Sequence, residues 1–341
     1  MLRRIFLFSC LVSVVSAQAQ IERVVERLPL DSTRAERILA IDKALADRYQ
    51  QTGSYDTAYL TRPQYAFTVK ARMNVSGNEI ATKGQRNGDP FNTRLQSPNN
   101  LSTSFGITYR GLSASFSVNP DKLSGKNHNT ELNVTAYANR YGVDVAYMDS
   151  KEYSGLTDIG GSTHEFPSDI VQTRLLNISA YYAFNHRRFS YPAALTQSYI
   201  QRRSAGSWMV AMSLIGGQLK AQSSADLGNP AFTMHLADLG IGGGYGYNWV
   251  LPHNWLVHAS ALPTVVVASA NRLETDSENL KLSYAFPELI LTGRVAFLHY
   301  FNDRHFVNLT YVVYHTIRGS SQDLRLSHTK WRLRISYGFR F

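Results

Sequence analysis

The chain has 341 residues, with 35 Lys and Arg against 25 Asp and Glu, a formal charge of +10 and one cysteine. Beyond Ser16 no apolar run reaches the ~18 residues that a membrane-spanning helix needs, which excludes a helical membrane protein. Mean hydropathy is slightly negative, and the basic balance of a secreted chain points to anionic lipid, lipopolysaccharide or an anionic solute rather than to nucleic acid.

The N-terminus reads as a secretory signal. Arg3 and Arg4 precede an apolar stretch from Ile5 to Val15, and Ala17-Gln18-Ala19 is a small-x-small cleavage site. Residues 1–19 are therefore expected to be a signal peptide. Cys10 lies inside it, so the mature chain would carry no thiol chemistry. Residues 20–60 are expected to form a periplasmic leader with one amphipathic helix. Thr33 and Glu36 fit a capping box, and Ile38, Ile41 and Leu45 share one face. That face would either pack against the mouth of the following domain or bind a periplasmic partner.

From residue 61 onward the pattern has period two, as strands with one apolar face require. Tyr65, Phe67, Val69, Ala71, Met73 and Val75 alternate with Thr68, Lys70, Arg72 and Asn74. The same alternation recurs from Leu101, Leu112, Leu132, Tyr141, Leu176, Trp208, Leu239, Trp255, Leu289 and Val307. The last strand, Trp331 to Phe341, sets Trp331, Leu333, Ile335, Tyr337, Phe339 and Phe341 against Arg332, Arg334, Ser336, Gly338 and Arg340. In a soluble sandwich such a terminal edge would invite aggregation. In a transmembrane barrel it puts apolar side chains toward lipid and polar ones toward the lumen. The fold expected is all-β, a 12-stranded antiparallel transmembrane β-barrel over residues 61–341, with a short N-terminal periplasmic helix.

The connections alternate in length. Residues 78–100, 119–130, 150–172, 221–233, 271–283 and 318–328 are long, whereas Arg110-Gly111, Asn139-Arg140, Leu251 to Asn254 and Asn302 to Arg304 are short. Outer-membrane barrels keep short turns on the periplasmic side and long loops outside. Trp208, Trp249 and Trp255 all border connections expected on the periplasmic side, where an interfacial aromatic rim is expected. One gap breaks the rule: residues 186–205 are long on the short-turn side, and rich in Tyr, Phe and Arg rather than Gly and Ser. Phe189, Tyr191, Pro192, Gln197, Tyr199, Arg202 and Arg203 mark it as a candidate plug that enters the lumen or caps its mouth, unless it hides a further strand.

Two stretches resemble a known family. Phe189-Ser-Tyr-Pro-Ala-Ala, running on to Gln201-Arg-Arg-Ser-Ala-Gly-Ser207, is similar to the signature of the Bacteroidota family called domain of unknown function 4421, as is Asp56-Thr-Ala-Tyr-Leu with Tyr65-Ala-Phe67. The resemblance, over about residues 30–341, implies an outer-membrane barrel and supplies no activity. A closing strand that ends in Phe also resembles the assembly signal read by the barrel assembly machinery, here Tyr337, Phe339 and Phe341.

No enzyme motif is present: no nucleophile elbow, no His-Glu-x-x-His and no phosphate loop, and neither cofactor nor metal is expected. Two constellations remain. Pairing of the first and last strands would gather Lys70, Arg72, Arg332, Arg334 and Arg340 in the lumen, with Arg294 two strands away. This cluster would steer or bind an anion, unless acids such as Asp144 or oxygens of the plug neutralise it. On the lipid side, His315 and Ser327 would meet near the outer rim, the arrangement of an outer-membrane lipid hydrolase, though without a third orienting group. The function expected is thus a non-enzymatic outer-membrane barrel, a plugged conduit for small anionic solutes. The alternatives are a structural barrel docking through 186–205 and a lipid hydrolase.

Overall fold

The computed structural model describes residues 31–50, 53–86, 89–109, 112–119, 129–166, 168, 170–223, 231–275, 279–281, 287–319 and 324–341. The expected signal peptide, the Arg110-Gly111 turn and most of the 119–130 and 221–233 connections lie outside these residues. Helix α1 (Ser32–Gln50) comes first, followed by β1 (Leu60–Thr61), β2 (Phe67–Arg86), β3 (Asp89–Gln96), β4 (Asn100–Tyr109), β5 (Leu112–Val118), β6 (Thr130–Tyr137) and β7 (Tyr141–Ser150). Then come β8 (Ser154–Ile159), β9 (Ser162–Phe166), β10 (Val171–Ala183), the short helix α2 (Tyr191–Leu195), β11 (Ile200–Gln201), β12 (Ala205–Ala221) and β13 (Phe232–Leu251). The chain closes with β14 (Trp255–Ser269), β15 (Arg272–Thr275), β16 (Asn279–Lys281), β17 (Leu289–Tyr300), β18 (His305–Arg318) and β19 (Leu324–Arg340).

The long strands form one antiparallel sheet that curls on itself, because β2 pairs with β19 from Thr68↔Arg340 to Leu324↔Gly84. Pairing continues from β2 to β4 and β5 on one side, and from β19 back through β18, β17, β14, β13, β12, β10 and β7 to β6 on the other. Curling in this way pairs backbone groups that would otherwise lie open at two edges. Among the described residues no helix is long and apolar enough to cross a membrane.

The alternation read from the sequence sets the two faces. Phe105, Ile107, Val210, Met212, Ile241, Leu333 and Ile335 point outward and are exposed, whereas Asn74, Ser104, Ser213, Thr264 and Ser336 point inward and are buried. Trp208, Trp249 and Trp255 lie on the exterior at one end, with Trp208 69% exposed. The start of β2 and the end of β19 lie there too: Phe67 and Phe341 exchange backbone hydrogen bonds of 3.2 and 3.1 Å. Gly242 and Gly244 let β13 approach β14 closely, since a Cβ at either would lie 2.2 Å from the Pro263 carbonyl oxygen or 1.9 Å from that of Ala261.

Two expectations need correction. The segments 78–100 and 150–172 are not loops throughout. β2 runs on to Arg86 and folds back as β3, β8 pairs with β3, and β9 pairs with β8. β3 turns Phe91 and Leu95 inward but Asn92, Arg94 and Gln96 outward, so it lacks the apolar outer face that marks the other strands. The helix cap is also displaced. Arg34 N donates to Asp31 Oδ1 at 2.7 Å, so Asp31 starts the helix and Thr33 lies within it.

Candidate functional site

The 184–204 segment leaves β10 at the tryptophan-rimmed end and turns back inside the ring of strands. Phe184 N donates to Trp208 O at 3.1 Å, and Phe189 N donates to Asn185 O at 2.9 Å. Ser190 then caps α2, its hydroxyl accepting from Ala193 N at 3.1 Å, and Pro192 occupies the first turn, where no amide hydrogen is needed. The helix ends when Gln197 adopts φ 55°, a left-handed conformation offset by the bond of 2.9 Å from Gln197 Nε2 to Ala194 O. Phe189, Tyr191, Pro192, Gln197 and Tyr199 are buried, whereas Arg202 and Arg203 are exposed. Only Ile200 and Gln201 are extended, so no additional barrel strand is hidden here.

Polar groups of the inner wall hold this segment by its own carbonyls. Asn248 Nδ2 donates to Ser190 O at 2.8 Å, and Asn308 Nδ2 donates to Ala194 O at 2.7 Å. Lys70 donates to Thr196 O, and to Gln197 Oε1 at 3.0 Å, while Arg340 Nη2 donates to Gln197 O at 3.1 Å. A connected chain lies behind Tyr191. Its hydroxyl donates to Ser260 Oγ at 2.7 Å, Ser260 Oγ lies 3.0 Å from His258 Nε2, and His258 Nδ1 lies 2.7 Å from Asn248 Oδ1. Because Asn248 Oδ1 can only accept, Nδ1 carries the proton and Nε2 accepts from Ser260. Phe189 fits because Gly246 has no side chain: a Cβ there would lie 3.2 Å from the ring.

The six basic residues singled out in the lumen divide into two sets. Lys70 and Arg340 bind the inserted segment, and Arg294 Nη2 lies 2.5 Å from Asp144 Oδ2, with Tyr137 donating to the same carboxylate. Arg72, Arg332 and Arg334 form no ion pair among the described residues. Each lies opposite a short polar residue across the seam: Arg72 opposite Ser336, Arg332 opposite Ser76, and Arg334 opposite Asn74, to which its Nε donates at 2.6 Å. The cations are therefore staggered along the seam rather than stacked against one another. Glu131 is engaged by Lys330 at 3.0 Å.

The leader lies across the same segment. β1 pairs with β11, Arg188 Nε lies 3.1 Å from Asp56 Oδ2, and Arg202 N donates to Tyr59 O at 2.7 Å. The Arg62 guanidinium sits 3.7 Å from the Tyr199 ring centre and 4.7 Å from that of Tyr49. α1 is fastened by Tyr49, whose hydroxyl donates to Pro63 O at 3.2 Å, and by a hydrogen bond from Tyr109 to the buried Asp42. Burial pushes the Tyr49 hydroxyl up to about 12, against the opposing pull of Arg62. The expected apolar face docks only in part: Ile38 and Ile41 stay 37% and 60% exposed, while Leu45, one turn from both Asp42 and Tyr49, is half-buried.

His315 and Ser327 are not brought together. His315 Nδ1 lies 2.8 Å from Thr329 Oγ1, its cross-strand partner, and Ser327, opposite Ile317, donates to Ala81 O at 3.4 Å. Of the terminal aromatics, Tyr337 is exposed with its hydroxyl 2.6 Å from His305 Nδ1, and Phe339 stacks between His305 and Phe341 at 4.8 and 5.8 Å. Sequence reasoning missed Asn248, His258, Ser260 and Asn308. Their inward parity was the available signal, since each is polar between neighbours in sequence that turn to the other face.

A model of the family described as Domain of unknown function (DUF4421) matches residues 54–341, and the chain belongs to that family. No curated protein matches the sequence. Among solved structures, the outer membrane protease OmpT from Escherichia coli is 8% identical, with 85% of this chain and 100% of that chain covered at a TM-score of 0.42. The translocator domain of autotransporter NalP from Neisseria meningitidis is 9% identical, covering 90% of this chain and 96% of that one at a TM-score of 0.31. OprG from Pseudomonas aeruginosa is also 9% identical, covering 81% and 97% at a TM-score of 0.27. Overlaps this loose transfer no activity to this chain.

Proposed function

We propose that this member of the DUF4421 family is a non-enzymatic integral barrel of a bacterial outer membrane, a conduit for small anionic solutes that its own 185–204 segment keeps plugged. The exposed apolar exterior and its aromatic rim favour insertion in a bilayer, where outer-membrane lipid and lipopolysaccharide would surround it. The observation that carries the anion preference is the seam: Arg72, Arg332 and Arg334 have no ion-pair partner among the described residues, next to the Lys70 and Arg340 that grip the plug. In a wet lumen these charges act through water and fade over ~8 Å at physiological salt. They would therefore bias ion choice without holding one anion tightly.

Single-channel recording tests this reading. Wild-type protein in planar bilayers should conduct weakly, and deletion of residues 189–199 should raise conductance and favour chloride over potassium. Replacing Arg332 and Arg334 with Gln should weaken that preference. A lumen that stays closed after the deletion, or prefers cations, overturns the conduit reading.

A docking role has its own support. Ile38 and Ile41 are exposed on a helix that Asp42 and Tyr49 hold in place, so the leader offers an apolar contact to a periplasmic partner. A photo-crosslinking residue at position 41 should give one discrete adduct in cells and an equivalent one at exposed Arg37 should not; equal adducts at both would remove the docking reading.

A further inference from the structure

The end of the barrel remote from the plug has the opposite chemistry. Its inward side chains include Ile80, Phe166, Val171, Leu219, Met234 and Leu326, all buried. They surround a cavity of about 340 Å³. Its polar lining consists of four threonines and Gln222, and no charged side chain among the described residues lines it. Thr93 and Thr157 satisfy each other, their hydroxyl oxygens 2.6 Å apart.

A water-filled barrel lines its interior with polar groups, so an apolar wall here gives water nothing to bind. Apolar cavities stay dry and accept apolar guests; one of ~150 Å³ already admits a single benzene ring. The cavity in this barrel is larger and lies near the lower end of the roughly 300–1,000 Å³ of small-molecule sites. It is also set apart from the basic lumen. Arg318 lies opposite Leu326 on the neighbouring strand, and its Nε reaches across to Asp238 Oδ2 at 2.5 Å. That neutralised pair gives an anionic head group no free charge beside the cavity.

From this we infer that the long-loop end of the barrel is a binding site for an uncharged hydrocarbon ligand, either a compact free hydrophobe or an aliphatic chain such as a lipid supplies. The site is independent of the plug and of the basic seam. Extension of β2 into β3, and the β8–β9 hairpin packed on it, exist to wall it: Phe91, Leu95, Ile159 and Phe166 belong to these added strands.

Methyl resonances of the full-length protein, labelled with [13C-methyl]methionine and embedded in lipid nanodiscs, can test the site without interference from partition into lipid. Met234 lines the cavity, while Met73 and Met212 lie exposed on the exterior. Naphthalene serves as the compact probe and 1-dodecanol as the chain. We expect a saturable shift of Met234 with at least one probe, and only unsaturating drift of Met73 and Met212. Ala221→Phe, which fills the cavity, and Leu219→Asn, which makes its wall polar, should each weaken binding by roughly tenfold. Saturation with one probe alone identifies the guest's shape. A Met234 shift that follows Met73 and Met212, no shift with either probe, or a saturable shift unchanged in both folded variants overturns the proposal. Should a variant fail to assemble, the wild-type comparison of Met234 with the exterior methionines decides.

Discussion

Asn248 is the residue on which most of the inserted segment turns. One amide serves the Ser190 carbonyl, the Gln201 side chain at 2.9 Å and the His258 ring. Asn248→Ala would leave those three buried groups short of a partner, and each unsatisfied group costs about 1–3 kcal/mol. The variant should therefore unfold at a clearly lower urea concentration in vesicles, whereas Asn302→Ala at the exposed turn should shift the midpoint much less. Equal shifts would mean that the network contributes nothing special. The basic side chains at 70, 72, 332, 334 and 340 were legible from parity alone. Their division into used and unpaired members was not. Lys70 meets Thr196 and Gln197 from 126 and 127 residues away, and no local pattern encodes such a meeting.

The strands could be read in the sequence wherever one face meets water and the other an apolar medium, because that contrast imposes alternation. It fails for β3, β8 and β9, whose few inward apolar residues, Phe91, Leu95, Ile159 and Phe166, are not matched by an apolar outer face, and for α1, where Ile38 and Ile41 stay exposed and Asp42 and Tyr49 supply the docking contacts. Docking of α1 should have a particular pH response. Its Tyr49 hydroxyl rises from 10.0 to about 12 through burial. Between those values the docked state keeps a proton that the released leader gives up, so docking is flat below pH 10 and weakens as pH rises beyond it. A spin label at Ile41→Cys should gain mobility over that range. Tyr49→Phe should abolish this step; a step that survives in the Phe variant assigns it to another group.

At the scale of the whole molecule, one end gathers the start of β2, the end of β19, the tryptophans, the leader and the plug, and the other the extended strands and the apolar cavity. The first end should face the periplasm. Cysteines at Asn92, on β3, and at Pro252, in the β13–β14 turn, should therefore label oppositely with an impermeant maleimide on intact cells. Labelling of Pro252→Cys from outside would invert the orientation. The plug also has a mechanical meaning. Lys70 comes from the first long strand and Arg340 from the last, and both grip the same short peptide, at Thr196 and Gln197. That peptide is a clasp across the one line where the wall was joined from two ends of the chain. Drawing the segment out through the leader would therefore undo one tie across that line, while the backbone ladder from Thr68↔Arg340 to Leu324↔Gly84 still holds the two strands together.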